Sequence, residues 1–327
     1  MAHPDPGGCA LSSSPPSDAV GAPGALAIVG VTATGKSTVA MAIARRLGNA
    51  EIISVDSMQV YREMDIGTDK PPVAVRAEVP HHLIDVADPS EDFSLTMFQA
   101  AARQARADIA TRGRTAVLVG GTGLYHRAVI DDLDIPGRFP ETAAELEEEL
   151  DTEALHRRLV ELDPLAASRM EPTNRRRIVR ALEVTVGSGR PFSSYGPGLG
   201  DYPPCDIAQI GLSLSRPEID HRIEQRYHQQ MEAGFLAEVE ALADRQPPLS
   251  RTASQALGYK ELLGHLNGEM SLDEALDLAI ARTRKFARRQ ERWFRRDPRI
   301  VWLNADDDVE ALVDEALSRT AQHESPG

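Results

Sequence analysis

The first apolar stretch of the chain, Ala25 to Val29, runs without a polar break into a glycine-containing loop, and small and apolar residues then recur at helical spacing from Ser37 to Leu47. This order predicts a buried strand, a loop and a helix. Glu51 to Val55 reads as a second buried strand ending at Asp56, and Thr115 to Val119 as a third ending at Gly120-Gly121, with an amphipathic helix from Leu95 to Ala110 between them. Strands and helices in alternation imply a mostly parallel sheet flanked by helices, so the expected fold class is α/β. From about Pro136 the sequence turns helical and charge-rich, and a Pro- and Gly-rich break from Gly187 to Pro204 precedes a strand-like run, Ile207 to Leu214. Glu218 to Ala243, Ala256 to Leu266 and Ser271 to Phe294 are predicted helices, and Ile300 to Leu303 a last strand. The expected organisation is a catalytic core at 25–130 and 205–310, a helical insertion at 131–204, a disordered leader at 1–24 and an acidic tail at 311–327.

At 327 residues, 42% hydrophobic and 26% charged, the chain has an ordinary globular composition. No uninterrupted apolar run is long enough to cross a bilayer, so no membrane association is expected. The leader lacks the basic start and apolar block of a secretory signal. Cys9 and Cys205 are the only cysteines, too few for a disulfide framework or a Cys-based zinc site, and a reducing cytoplasmic setting is expected. A net charge of -14 argues at first sight against a nucleic-acid partner. The average conceals a sharp separation. Between Arg282 and Arg299 nine basic residues face two acidic ones, a local charge of +7, while acid collects in Glu141 to Glu153 and Asp306 to Glu315.

Gly30-Val31-Thr32-Ala33-Thr34-Gly35-Lys36-Ser37 matches the phosphate-binding pattern of Gly, four residues, Gly-Lys-Ser, and sits between a predicted strand and helix as that motif requires. The P-loop NTPase-like arrangement makes physical sense of each position. Glycines let backbone amides turn inward around phosphate oxygens, the helix N-terminus adds positive potential, Lys36 brings a mobile charge, and the Ser37 hydroxyl can ligate Mg2+. The motif is one that ATP-binding proteins share, so alone it specifies a diphosphate or triphosphate ligand and no reaction. Ile52 to Asp56 fits an apolar strand ending in an acid near the metal.

Six ordered blocks follow the loop. Asp56-Ser57-Met58-Gln59-Val60-Tyr61-Arg62 continues into Met64-Asp65-Ile66-Gly67-Thr68 and Lys70-Pro71; then come Pro80-His81-His82-Leu83-Ile84-Asp85, Gly120-Gly121-Thr122-Gly123-Leu124-Tyr125, Arg176 to Val184, Gln255-Ala256-Leu257-Gly258-Tyr259-Lys260, and Arg288 to Arg295. Over about residues 25 to 303 the chain resembles the bacterial tRNA dimethylallyltransferases. The resemblance implies a prenyltransferase whose donor is dimethylallyl diphosphate and whose acceptor is the exocyclic amine of the adenosine 3′ of the anticodon. Gly30, Val31, Thr32, Ala33, Thr34, Gly35, Lys36 and Ser37 would then hold a leaving group, with Mg2+ on Ser37. Carried over from the family motifs, Asp56 is the general base and Thr122 orients the amine or the diphosphate. The acceptor base must leave its stack to reach the donor, and Asp56, Ser57, Met58 and Gln59 would line its channel. Arg176, Arg177, Arg180, Gln255, Gly258, Tyr259, Lys260, Arg288, Arg289, Gln290, Arg292 and Arg295 would contact the anticodon arm. A monomeric enzyme is expected.

Plainer alternatives stand beside these roles. Asp56 could cap a turn or bind the metal, the charge run could be a solvated helix face, and Trp293 and Phe294 suit core packing better than base stacking. Adjacent His81 and His82 make a poor metal pair, and Arg103, Arg106, Arg112 and Arg114 have the spacing of ordinary exposed positions. Ala143 stands where the family often has Arg in Pro-x-x-Arg, with Arg138 as a possible substitute. Rival activities are a small-molecule or nucleotide kinase, a switch NTPase, and prenylation of free adenine nucleotides. A kinase does not explain the basic C-terminal helix, the guanine-reading Asn-Lys-x-Asp motif is missing, and a free nucleotide would not need the Arg-rich blocks.

Overall fold

The structure, a computed structural model, describes residues 25–323; the leader at 1–24 lies outside them. β1 (Ala25–Gly30) leads through the phosphate loop into α1 (Lys36–Leu47) and back to β2 (Ala50–Ser54). After α2 (Val73–Glu78), β3 (His81–His82), α3 (Leu95–Thr111), β4 (Thr115–Gly120) and α4 (Gly123–Ile130), the chain leaves the sheet for α5 (Pro140–Glu148), α6 (Thr152–Leu162), α7 (Pro164–Ser168) and α8 (Arg175–Ser188). It returns as β5 (Ala208–Ser213) and continues through α9 (Arg216–Glu232), α10 (Phe235–Ala243), α11 (Arg251–Ser254), α12 (Tyr259–Leu266), α13 (Leu272–Phe294), β6 (Ile300–Asn304) and α14 (Val309–His323). The sheet order is β3-β2-β4-β1-β5-β6, and every pairing is parallel. β1 is therefore central, and the phosphate loop leaves its carboxyl end flanked by the ends of β4 and β5.

A parallel sheet is covered on both faces, and alternate residues supply the two cores. Leu26 and Ile28 of β1 join α1 and α14, while Ala27, Ile53 and Leu118 face a larger cluster that includes α3 and the helices from α9 to α13. Helices α5 to α8 carry an apolar cluster of their own, centred on Leu155, Leu159, Ile178 and Leu182.

The five longer strands lie where the apolar runs predict them, whereas β3 escapes that reading because only two residues, His81 and His82, pair with β2. The predicted helix from Glu218 to Ala243 is two helices, broken at Gly234, which adopts φ 99. The segment at Ala256 likewise starts its helix only at Tyr259. The acidic tail is the larger correction. Through His323 it is helix α14, which buries Leu312, Val313 and Ala316 against α1 and pairs Glu310 and Asp314 with Arg46. Its charge marks the outer face of an amphipathic helix. Arg112 and Arg114 are exposed as expected, yet both reach the buried carboxylate of Glu51, which His82 also meets at 2.6 Å. Burial would raise that carboxyl, but Arg112 and His82 hold it down at about 2. Phe294 packs in the core as expected.

The end of β4 passes so close to β2 that a Cβ on Gly120 would stand 2.0 Å from the Val55 carbonyl oxygen. Gly120→Ala is therefore expected to destabilise the chain by about 2 kcal/mol or more through backbone displacement, whereas Gly200→Ala stays within about 0.5 kcal/mol. At Gly200 an added Cβ meets nothing within 4 Å. Urea unfolding followed by circular dichroism distinguishes the two.

Candidate active site

The loop after β1 turns left-handed at Ala33 (φ 67) and Gly35 (φ 82), which brings successive backbone N–H groups to one side. Ala33 carries a Cβ in that conformation, a strain that functional loops often hold. Thr34 Oγ1 braces the turn by donating to the Val31 carbonyl at 2.9 Å, and Lys36 Nζ donates to the same carbonyl at 3.1 Å. Arg226, from α9, reaches across to donate from Nη1 to Thr32 Oγ1 at 2.8 Å. Its Nε is buried with no acceptor among the described residues. Two cations thus converge on one loop with donors to spare. Burial lowers the Lys36 ammonium from its ordinary 10.5 to about 8; Asp56 and Asp69 push the other way, and Arg226 adds to the lowering.

A buried amide ties this cradle to its neighbour. Gln290 of α13 accepts from the Thr32 N–H at 3.0 Å and donates from Nε2 to the Gly121 carbonyl at 2.8 Å. Gly121 must be glycine for this, because a Cβ there would stand 2.4 Å from that nitrogen.

Past the end of β2, Asp56 Oδ1 accepts from the N–H groups of Met58 and Gln59 at 2.8 and 3.3 Å. Asp56 therefore does cap a turn, and Oδ2 keeps no partner among the described residues. Gln59 is engaged as well: Oε1 accepts from Ser54 Oγ at 2.7 Å, and Nε2 donates to the carbonyls of Thr68 and Asp69. Glu238 clamps the other side of that loop, accepting from the N–H groups of Asp65, Ile66 and Gly67 and from the Tyr259 hydroxyl.

These parts enclose a single cavity of about 510 Å³ lined by Lys36, Ser37, Asp56, Thr122, Arg226 and Arg289, among others. The hydroxyls of Ser37 and Thr122 make no hydrogen bond among the described residues. Among those residues no group of three or more His, Cys, Asp or Glu side chains could hold a metal. Ser37 Oγ, an uncommitted oxygen on this cavity, suits Mg2+, a hard cation that keeps waters and phosphate oxygens and asks the protein for only one or two ligands.

Known proteins share this sequence and fold. The chain matches the model of the IPP transferase family over residues 59–297 and that of the isopentenyl transferase family over 23–79. The chain belongs to the IPP transferase family. A relative from Nocardioides sp. named tRNA dimethylallyltransferase is 46% identical, with 90% of this chain and 95% of the relative aligned; one of the same name from Thermobifida fusca is 47% identical over 91% and 94%. The tRNA isopentenylpyrophosphate transferase of Bacillus halodurans shares the fold at TM-score 0.67 and 38% identity, covering 91% of this chain and 97% of that one. A eukaryotic dimethylallyltransferase acting on tRNA aligns at TM-score 0.73 and 26% identity, covering 90% and 77%.

Against the positions that the IPP transferase resemblance assigns, the structure sorts residues into a cavity group, an exposed group and an interior group. Gly35, Lys36, Ser37, Asp56, Ser57, Met58, Gln59, Thr122, Gln255, Tyr259 and Arg289 line the cavity, together with Thr32 and Ala33. Arg176, Arg177, Lys260, Arg292 and Arg295 are exposed. Arg288 is exposed too, 3.8 Å from Asp220. Two assigned RNA contacts are interior instead: Gln290 spends its amide on the phosphate loop, and Gly258 is buried. Tyr259, although on the cavity wall, is buried with its hydroxyl on Glu238. Arg180 is occupied by Glu183 at 2.8 Å and by the Pro136 carbonyl. Arg226 and Glu238 were not foreseen; both sit among polar helical residues where periodicity cannot separate them from solvated neighbours, although the fixed Met64 to Thr68 block signalled a loop with something to hold.

Two outcomes follow from this geometry. A Lys36 that loses its proton near pH 8 when folded, but only near 10.5 when unfolded, opposes folding most at low pH, and stability rises as pH climbs from about 8 to 10.5. Binding an anion reverses the penalty, so pyrophosphate affinity weakens above about pH 8 and binding there takes up more protons than in Lys36→Met; calorimetry in buffers of different ionisation heat reads both. Gln290→Ala leaves the Thr32 N–H and Gly121 carbonyl unpaired, at a cost of about 1–3 kcal/mol, and is expected to weaken pyrophosphate binding in the same titration.

Proposed function

We propose that this chain transfers the dimethylallyl group of dimethylallyl diphosphate to the exocyclic N6 amine of the adenosine on the 3′ side of a tRNA anticodon, releasing diphosphate. The observation that carries the reading is the single cavity in which a two-cation phosphate cradle, Lys36 and Arg226, shares its walls with an acid keeping one free oxygen, Asp56. A kinase would need the cradle and could use such a carboxylate too; membership of the IPP transferase family and the basic face of α13 beside the cavity favour displacement at carbon by a tRNA amine.

The diphosphate lies on the N–H groups of the Val31 to Gly35 loop, with Lys36 and the spare Arg226 donors on its oxygens. Breaking the bond between carbon and oxygen places an electron pair on the leaving oxygen, and these preorganised donors stabilise that charge. The amine attacks the freed carbon while Asp56 takes its proton, held in place by the two backbone N–H groups on Oδ1. Thr122 offers an unengaged hydroxyl to orient the amine or the diphosphate. Mg2+ on Ser37 would neutralise further charge on the diphosphate.

The acceptor base arrives past α13, whose Thr283, Phe286 and Arg289 line the cavity while Lys285, Arg292, Arg295 and Arg296 stay exposed on the same helix or just beyond it. Such a basic face suits a phosphate backbone and has no use with a free nucleotide, which favours tRNA. Arg176 and Arg177 extend the grip onto α8. The enzyme is proposed to act as a monomer, and among the described residues no helix is long and apolar enough to span a membrane. A cytoplasmic enzyme fits a tRNA substrate.

Incubation with unmodified tRNA and dimethylallyl diphosphate, followed by nucleoside digestion and mass measurement, tests the reading: adenosine gains the prenyl mass, and no gain overturns it. Asp56→Asn keeps the turn-capping oxygen and loses the base, so transfer falls by at least about 100-fold while tRNA binding is retained. Equal loss of both would make Asp56 a structural residue.

A further inference from the structure

Asp69 lines the same cavity as Lys36 and Arg226, and the reaction above gives it nothing to do. Its carboxylate, 70% exposed, stands 4.0 Å from Arg226 Nη1. Its charge also reaches Lys36. The backbone holds it there. Asp69 sits at φ 56, its N–H donates to the Ile66 carbonyl at 3.1 Å, and its own carbonyl accepts from Gln59. Glu238 clamps the preceding three N–H groups, and the following Lys70 is buried between Asp65, Asp85 and the Tyr61 carbonyl. The loop tip is pinned from both sides and carries a free carboxylate into a site for anions.

A fixed negative charge beside such a site weakens each bound anion in proportion to the charge that anion carries. When the bond between carbon and oxygen of an alkyl diphosphate breaks, the electron pair stays on oxygen, so the fully ionised pyrophosphate bears one negative charge more than the donor; the amine proton goes to Asp56. Asp69 also competes with bound phosphate for Arg226. We propose that Asp69 discriminates the departing pyrophosphate from the incoming prenyl donor, speeding product release and limiting product inhibition. The inference rests on the transfer reaction proposed above.

Asp69→Asn tests it cleanly, because Asn keeps the size and is among the few side chains that accept a left-handed backbone; Asp69→Gly, equally suited to that conformation, guards against a folding defect. Pyrophosphate and methyl diphosphate are titrated calorimetrically into the full chain with and without Mg2+, and the inhibition constant of pyrophosphate is compared with the KM of dimethylallyl diphosphate in the transfer assay. In both variants pyrophosphate binds about tenfold tighter, equivalent to about 1.4 kcal/mol. Methyl diphosphate gains less, and the ratio of inhibition constant to KM falls. An unchanged ratio, or equal gains for both ligands, overturns the proposal. Weaker pyrophosphate binding in Mg2+ alone also overturns it, by making Asp69 a metal ligand. Should the wild-type chain fail to modify tRNA, the calorimetric comparison still reads the Asp69 effect by itself.

Discussion

The amide of Gln290 is the constraint on which the site depends. It joins the phosphate loop to the loop after β4, with 258 positions separating it from Thr32 and 169 from Gly121. Neither backbone group has another partner among the described residues, so beyond the pairing of β1 with β4 the spacing between the phosphate loop and Thr122 follows from where α13 lies. The residues around Gln290 on that helix face outward: Arg289 borders the cavity, and Arg292 is exposed. One helix therefore sets the geometry of the donor site from its inner face and carries positive charge toward solvent from its outer one.

A second organising theme is the distribution of acid. The chain is acidic overall, yet apart from Asp56 and Asp69 its carboxylates are placed away from the phosphate loop or spent on tasks of their own. Glu51 is buried under Arg112, Arg114 and His82. Glu238 holds three backbone N–H groups. Glu310 and Asp314 sit on the outer face of α14 against Arg46. Within the basic segment, Arg282, Arg284, Arg288 and Arg299 have acidic partners, leaving Lys285, Arg289, Arg292, Arg295 and Arg296 without one among the described residues. The exposed positive face is smaller than the +7 of its sequence and is confined to one side of α13 and the turn beyond it.

The parts that the sequence made legible share a physical property: their signal is local. Each long strand is a mostly apolar run, and the phosphate loop is a fixed spacing whose strand-loop-helix context lies within about twenty residues. What escaped was decided by distant partners. Gln290 reads as one more polar residue in a basic helix, and only the fold shows that its amide is buried. Arg226 and Glu238 lie on α9 and α10 among many charges, and nothing in their neighbours in sequence reveals a phosphate loop or a row of backbone N–H groups across the cavity. The helix break at Gly234 and the late start at Tyr259 belong to the same class, since a helical period alone does not show where the chain must turn. The acidic tail was misread for a simpler reason: charge density drew attention from Leu312, Val313 and Ala316, whose spacing is that of a buried helix face.

The position of α13 near the end of the chain has a consequence for synthesis. Contacts between such distant residues form slowly, because a long stretch of chain must be brought into register first. A ribosome that has released β1, the phosphate loop and β4 has made every group proposed to touch diphosphate except Arg226, yet not the amide that joins the two loops. Residue 290 has still to emerge. Until then the nascent sheet has no companion for the Thr32 N–H or the Gly121 carbonyl, so the cradle matures last, together with the surface through which the substrate enters.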